Sequence, residues 1–154
     1  MSYVSGAAEP VSDCVMCDIA ASSDDRERLV LVRGLHAFAV LNLFPYNTAH
    51  TLVLPYAHGG ELSLVSPETG LELWQLTQRL VATIQQEYSP DGFNVGMNLG
   101  RVAGAGIPDH LHLHIVPRWG GDTNFMPVTA ETKVLPEALE QTWTRLHTAL
   151  KRSP

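Results

Sequence analysis

Hydrophobic and polar residues alternate in several short segments of the chain and recur at helical spacing in two longer ones. The short segments are rich in Val, Leu and Phe, which is typical of strands. Ser66 followed by Pro67 predicts the start of a long helix, which Ser89-Pro90 ends. The second apolar stripe with helical spacing lies on a C-terminal helix and consists of Leu135, Leu139, Trp143, Leu146 and Leu150. The predicted strands cover 29–33, 36–42, 50–54, 92–99 and 111–117.

The order of these elements is β-β-β-α-β-β-α, and most connections between strands are too short for a parallel crossover. We therefore predict an α+β fold, with an antiparallel sheet of about five strands, one long helix and a C-terminal helix. Neither an internal repeat nor a long linker divides the sequence. We expect a flexible N-terminal arm over residues 1–13 and a single domain over 14–154.

Composition supports a packed core, since 45% of the 154 residues are hydrophobic. The 16 acidic residues outnumber the 10 basic ones, so the net charge of −6 argues against a protein that coats DNA or RNA. The N-terminus resembles no secretory signal, and no stretch approaches the roughly 20 apolar residues of a membrane span. These features predict a cytoplasmic protein without a membrane partner.

Three of the seven histidines fall within five residues, at His110, His112 and His114, and alternate with Leu111 and Leu113. On a strand this pattern places the leucines on one face and the imidazoles on the other. Neighbouring imidazoles would be about 6.6 Å apart and the outer two about 13 Å apart. Two neighbours can meet at one small group but three cannot, so at least two roles are expected.

Two other interpretations of these histidines stay open. They could form a polar strand face exposed to solvent, although Thr, Lys or Glu would serve that purpose as well. They could also belong to a cupin or metallo-hydrolase metal site, which would want a carboxylate soon after the histidines. No carboxylate occurs between His114 and Gly121.

The segment His110–Val116 resembles the signature of the histidine triad (HIT) family, in which three histidines are each followed by a hydrophobic residue. Pro117-Arg118 fits the same pattern, as does the segment Phe38–Asn42, which ends eight residues before His50. The resemblance extends over roughly 14–127 and implies a HIT-like fold and a homodimer.

The resemblance further implies nucleotidyl transfer. A dinucleoside polyphosphate, such as diadenosine tetraphosphate, or a related nucleotide would be attacked at its α-phosphorus, giving a nucleotidyl-histidine. His112 corresponds to the nucleophile, whose Nδ1–H is held by a backbone carbonyl in the family. His114 corresponds to the histidine that assists the leaving group, and His50 to the upstream histidine that supports the triad. A neutral imidazole is a competent nucleophile near pH 7.

Other residues match the family's nucleotide contacts. Asn42 resembles the asparagine that binds the ribose hydroxyls. The glycine-rich segment before the triad is a candidate phosphate cradle, because glycines let backbone N–H groups approach phosphate oxygens. Its candidate contacts are Asn98, Gly104, Ala105 and Gly106, with His114. Mg²⁺ commonly accompanies polyphosphates and is expected only together with the substrate.

The acceptor of the nucleotidyl group follows from a departure from the family pattern. Ala105-Gly106-Ile107 lacks the Gly-Gln-Ser or Gly-Gln-Thr that many members carry before the triad. The related bacterial phosphorylases tend to have a serine where Gly106 stands. We therefore predict a hydrolase, with water as the acceptor. A phosphorylase or adenylyltransferase that uses the same intermediate is the alternative, and a non-catalytic nucleotide-binding module is a further one.

Cys14 and Cys17 have the spacing of zinc ligands, but one such pair supplies only half of a tetrahedral site. In zinc-bearing members of the family two histidines complete the site, and they correspond to His58 and His110. The resemblance thus implies a structural zinc held by these four residues. Free thiols or a redox pair are the alternatives.

Overall fold

In the computed structural model, which describes residues 13–123 and 137–153, the chain forms three α-helices and five strands. The helices are α1 (Val15–Ala21), α2 (Pro67–Tyr88) and α3 (Leu139–Arg152). The strands are β1 (Val30–Arg33), β2 (Ala37–Leu41), β3 (Thr51–Pro55), β4 (Gly92–Met97) and β5 (Leu113–Arg118). Short 3-10 turns cover Leu62–Leu64 and Arg101–Ala103.

The five strands form one sheet in the order β1-β2-β3-β5-β4, and every neighbouring pair is antiparallel. The predicted α+β class and the order of its elements are confirmed. Because β5 pairs with both β3 and β4, His114 lies inside the sheet rather than at an edge.

The two faces of the sheet bury separate apolar clusters. On one face, α2 and α3 pack against side chains such as Val53, Leu113 and Ile115. On the opposite face, Met16 of α1 packs among residues such as Leu52. Since side chains alternate along a strand, the even-numbered residues of β3 and β5 share the face that α2 does not cover. His114 lies on that face.

Helix α2 begins and ends where the sequence predicts. The Ser66 hydroxyl accepts a hydrogen bond from the Thr69 N–H at 3.2 Å, and Pro67 occupies the first turn. At the other end Ser89 adopts a left-handed conformation, with φ of 47°. Both features are local, which explains why a sequence pattern located them.

One predicted boundary needs correction, and one helix was not predicted. The histidine strand was predicted to begin at Leu111, but β5 begins at Leu113, so His110 and His112 precede it. The chain leaves the ladder there because the Leu111 N–H donates to the Gly59 carbonyl, beyond the end of β3. Helix α1 was not predicted; it has only 7 residues and no side-chain cap, and its packing rather than its sequence stabilises it.

Several predicted features lie outside the described residues. They are the N-terminal arm apart from Asp13, the end of the family resemblance after Thr123, and Leu135 and Pro136 before α3. The rest of the predicted C-terminal stripe is confirmed, with Trp143, Leu146 and Leu150 buried. Within the described parts of the chain, no helix combines the length and apolar character that crossing a membrane requires.

Candidate active site and metal centre

Strand pairing brings three of the predicted histidines together. Leu52 of β3 pairs with His114 of β5, so His50, two residues before Leu52, lies beside the β5 histidine. The His50 Nε2 is 2.9 Å from the His114 Nδ1. The ring centroids of His112 and His114 are 5.0 Å apart. His50 and His112 are buried and His114 is half-buried.

The protonated nitrogen of His112 is fixed by the backbone. Its Nδ1 is 2.8 Å from the His110 carbonyl oxygen, which can only accept a hydrogen bond. Nδ1 therefore carries the proton, and Nε2 of the neutral ring carries a lone pair. This is the backbone contact that the family resemblance implied, and it leaves His112 with the form that a nucleophile needs.

A chain of hydrogen bonds assigns the opposite tautomer to His114. The Tyr46 N–H donates to the His50 Nδ1 at 3.0 Å, so a neutral His50 carries its proton on Nε2. That Nε2–H donates to the His114 Nδ1. The proton of His114 consequently lies on Nε2. The Nε2 of His114 is therefore a hydrogen-bond donor, whereas the Nε2 of His112 carries a lone pair.

The Nε2 of His114 is buried and has no hydrogen-bond partner among the described residues. Burial lowers the pKa of His114, and the neighbouring His112 lowers it further, so the ring is neutral near pH 7. A buried donor without a partner costs free energy, and a ligand oxygen at this position would satisfy it. The site therefore favours a ligand with an oxygen at the His114 Nε2, beside the lone pair of His112.

Asn42, the predicted ribose ligand, lies at the start of the loop between β2 and β3, residues 42–50, and is half-buried. Its Nδ2 is 3.4 Å from both ring nitrogens of His50, and its Oδ1 accepts the Phe44 N–H at 3.0 Å. The amide thus lies beside the histidines. Sequence reasoning missed Tyr46 in the same loop, whose ring centroid is 4.5 Å from that of His50. An aromatic residue between Asn42 and His50 was the available signal.

Several polar groups of the predicted phosphate cradle form hydrogen bonds within their own loop. The Gly104 N–H donates to the Arg101 carbonyl, and the Ala105 N–H donates to the Gly100 carbonyl. The Asn98 Nδ2 donates to the Gly104 carbonyl at 3.3 Å. The Gly106 N–H has no hydrogen-bond partner among the described residues.

Cys14, Cys17, His58 and His110 form one cluster, in which one ligand atom of each residue lies within 4.8 Å of all the others. The His110 Nδ1 is 3.4 Å from the Cys14 Sγ and 3.5 Å from the Cys17 Sγ, which is itself 3.4 Å from the His58 Nδ1. A tetrahedral ion with bonds of about 2.3 Å to sulfur and 2.0 Å to nitrogen requires sulfur–nitrogen separations of about 3.5 Å. The donor set and its spacing therefore fit a tetrahedral metal.

His110 has the environment of a metal ligand. Its ring is fully buried, and its Nε2–H donates to the Pro55 carbonyl at 2.9 Å, which leaves Nδ1 unprotonated and directed at the cysteines. Burial lowers the pKa of His110, which keeps the ring neutral. The same residue supplies the carbonyl that orients His112, so the metal cluster and the candidate nucleophile share one residue.

Gly60 allows His58 to reach this cluster. A Cβ at Gly60 would lie 1.9 Å from the Pro108 carbonyl oxygen, so only glycine permits the segment after β3 to pack against the segment before His110. The neighbouring Gly59 forms an isolated bridge with His110. The pair of glycines after His58 was the available signal, but no pattern indicated which segment they approach.

The sequence is similar to that of a known protein family and of a named protein. The family profile of the HIT domain matches residues 25–121. Over 130 residues the chain is 45% identical to a Mycobacterium tuberculosis protein named AP-4-A phosphorylase, a match that covers 84% of this chain and 67% of that protein.

Two solved structures resemble the fold closely. A zinc-bound histidine triad family protein from Mycobacterium smegmatis has a TM-score of 0.72 and 27% identity, covering 91% of this chain and 94% of that one. A hypothetical histidine triad nucleotide-binding protein from Sulfolobus tokodaii has a TM-score of 0.71 and 26% identity, covering 90% and 93%.

Proposed function

The chain belongs to the HIT domain family, and on that premise we propose that it is an enzyme that cleaves dinucleoside polyphosphates, such as diadenosine tetraphosphate, or related nucleotides at the α-phosphorus. One observation carries the proposal. Adjacent histidines, His112 and His114, present a lone pair and an N–H donor side by side, which are the two groups that such a displacement needs.

The reaction proceeds through a nucleotidyl-histidine. The Nε2 lone pair of His112 forms a bond to the α-phosphorus as the bond to the bridging oxygen breaks. The Nε2–H of His114 donates a hydrogen bond to that oxygen and stabilises the charge that develops on it, and ATP leaves as the anion when the substrate is diadenosine tetraphosphate. Water then attacks the phosphorus as the phosphorus–nitrogen bond breaks, which releases AMP, returns the lone pair to the Nε2 of His112 and gives one water proton to the solvent. His50 holds the His114 ring in the donating tautomer throughout.

The other site residues take the roles that the family resemblance implies. The Asn42 amide lies close enough to the histidines to bind the ribose hydroxyls of a nucleotide attacked by His112. The Gly106 N–H supplies a donor to the phosphates. Asn98, Gly104 and Ala105 would contribute after the turns of their loop rearrange, because the amide groups of these residues bond within the loop in this structure.

Water is the proposed acceptor because Gly106 has no side chain to hold inorganic phosphate. Phosphorolysis is the second candidate, and the relative at 45% identity named AP-4-A phosphorylase favours it. Nothing within 4 Å would obstruct a Cβ at Gly106, so the site has room for a serine there but does not contain one.

Product analysis distinguishes these reactions. Diadenosine tetraphosphate is incubated with the protein with and without inorganic phosphate, and the nucleotides are separated. Hydrolysis gives AMP and ATP in both samples. Phosphorolysis gives ADP and ATP, and only when phosphate is present. The absence of both product pairs would contradict the proposed substrate class.

We also propose that the cluster of Cys14, Cys17, His58 and His110 binds a structural zinc ion. The near-tetrahedral spacing of the donors and their Cys₂His₂ composition support zinc over harder ions. A closed site of four protein ligands leaves no open position, so the ion would brace the segment before His112 rather than take part in the reaction.

The remaining expectations stay predictions: a single domain over 14–154, a homodimer, a cytoplasmic location and Mg²⁺ that accompanies the substrate. The outer face of α2 is a suitable surface for a second subunit, since Leu71 and Trp74 are 59% and 57% exposed. The β4 edge, with Val95 43% exposed, is another.

A further inference from the structure

The β2–β3 loop is fastened to the far end of β5 by one buried amide. The Asn47 side chain is 8% exposed, and its Nδ2 donates to the Asp122 Oδ2 at 2.7 Å and to the Pro117 carbonyl at 2.9 Å. The Asn47 carbonyl accepts the His50 N–H at 3.2 Å. Asn47 therefore fixes both the position of the loop and the turn that leads into His50.

Asp122 is itself held in place. Arg118 donates to both of its carboxylate oxygens, at 2.7 and 3.0 Å, and the Trp119 N–H donates to Oδ2 at 3.2 Å. The hydrogen bond from Arg118 keeps the pKa of Asp122 well below its usual range, so the carboxylate is ionised near pH 7. Asn47 thus docks on a rigid, negatively charged acceptor at the end of β5.

The residue before Asn47, Tyr46, determines the tautomer of His114. The Tyr46 N–H bonds to the His50 Nδ1, and that single bond selects the Nε2–H form of His50 and hence the Nε2–H form of His114. The contact between Asn47 and Asp122 can therefore act on His50 and His114 through the position of the Tyr46 backbone N–H, in the residue next to Asn47.

We propose that Asn47, docked on Asp122, is a positioning residue that holds the Tyr46 N–H against His50 and so keeps a proton on the Nε2 of His114 for the leaving group. This inference rests on the proposed function, in which His114 donates to the bridging oxygen. The turn after β5, which lies outside the triad signature, thereby acquires a role in the reaction.

The test uses Asn47→Ala, which removes the docking amide without touching any histidine. Asp122→Asn is the second variant, since it keeps the shape of the side chain but gives up the charge that Asn47 and Arg118 bind. Asp91→Asn is the matched control: its Oδ2 accepts the Gly120 N–H at 2.7 Å in the same turn, yet it does not touch the β2–β3 loop.

Imidazole ¹⁵N shifts of the full chain report the tautomers directly. In the parent protein and in Asp91→Asn, we expect His50 and His114 to be Nε2–H tautomers. In Asn47→Ala both should become mixtures, and Asp122→Asn should move in the same direction by a smaller amount. Unchanged shifts in both docking variants would overturn the proposal, whatever the substrate of the protein proves to be.

Kinetics supply the second measurement. In the proposed reaction the His114 N–H stabilises the leaving group as the bond breaks, so its loss should lower kcat rather than raise KM. We expect Asn47→Ala to lower kcat for diadenosine tetraphosphate by about 10- to 100-fold with little change in KM, and Asp91→Asn to change kcat by less than about threefold. An equal loss of kcat in Asp91→Asn would indicate general damage to the turn and contradict a positioning role.

The two measurements separate the possible failures. If the protein does not cleave diadenosine tetraphosphate, the proposed function fails, and the ¹⁵N shifts still test whether Asn47 controls the tautomers. If Asn47→Ala does not fold, judged by its thermal unfolding, Asp122→Asn decides both measurements against Asp91→Asn.

Discussion

At the scale of single residues, His112 and His114 are chemically identical side chains to which the structure gives opposite tautomers. One has a backbone carbonyl at its Nδ1, and the other has a histidine N–H there. The family resemblance implied the carbonyl contact of His112, which comes from a residue only two positions away. The sequence could not predict the tautomer of His114, because its partner His50 is 64 residues away and only folding brings it to the ring.

The nucleophile assignment predicts a separation of binding from turnover. His112→Ala should retain nucleotide binding, since the ribose and phosphate contacts remain, and lose at least about 10³-fold in kcat, because no other group can form the covalent intermediate. Calorimetric binding of a non-hydrolysable dinucleotide and steady-state kinetics measure the two effects.

His36→Ala is the matched control for this prediction, because His36 is an exposed histidine on the hairpin between β1 and β2. It should leave both binding and turnover unchanged. Full activity of His112→Ala would show that a different residue is the nucleophile, whereas binding without turnover in the parent protein would indicate a binding module.

At the scale of the elements, the sequence located α2 and the strands well, because caps, prolines and alternation are local signals. Helix α1 was not predicted, and the start of β5 was predicted two residues too early, for a different reason. Packing on the second apolar cluster stabilises α1, and a bond from Leu111 to Gly59 ends the β5 ladder, and neither contact leaves a trace in the local sequence.

The hairpin between β1 and β2 illustrates a contact between elements that the sequence did not indicate. Gly34 was the signal for the turn, and its N–H donates to the Ala37 carbonyl. The turn is also capped by Glu72 of α2, whose carboxylate accepts the N–H groups of Leu35 at 2.8 Å, Ala37 at 2.7 Å and His36. A Cβ at Gly34 would lie 2.5 Å from the Glu72 Oε1, so glycine makes room for the carboxylate.

This cap predicts a pH-dependent stability. Burial alone would raise the pKa of Glu72, but the three backbone N–H groups outweigh it and lower the pKa below its ordinary value of 4.5. Since the folded protein releases the proton more readily than the unfolded chain, the stabilisation is complete above about pH 4.5 and disappears as the pH falls through the lowered value.

Replacement of the carboxylate checks this prediction. Glu72→Gln should lower the free energy of unfolding at pH 7 by about 1–3 kcal/mol, measured by urea denaturation, and the difference should shrink below pH 4.5. Glu68→Gln, an exposed acidic residue on the same helix, is the control and should change it by no more than about 0.5–1 kcal/mol. A difference that persists at pH 3 would argue against the carboxylate as the cause.

At the scale of the whole molecule, the metal cluster joins three distant parts of the chain. Cys14 and Cys17 come from the start of α1, His58 from the segment after β3, and His110 from the segment before β5. One ion would tie α1 to the sheet and fix the residue whose carbonyl orients His112. The cluster therefore links the stability of the domain to the geometry of the candidate active site.

Removal of the metal should affect both properties. We expect one equivalent of zinc per chain, and a strong chelator should lower the Tm by more than about 5 °C. Cys14→Ser and His58→Gln should lose the metal, whereas His36→Gln should keep it. Metal analysis and thermal unfolding provide the measurements, and a full equivalent of zinc retained by Cys14→Ser would contradict the proposed site.

The sequence by itself determined the fold class, the family and the candidate side chains of the site, because alternation, caps and the triad spacing are encoded in neighbouring residues. The tertiary structure alone decided how those side chains are used. The tautomers of His112 and His114 depend on partners from the segment before β5, from the β2–β3 loop and, through Asn47, from the turn after β5. For His114, contacts between segments far apart in the chain select the protonated nitrogen, through His50 and through the Asn47–Asp122 contact that holds the β2–β3 loop, and no pattern of adjacent residues contains that information.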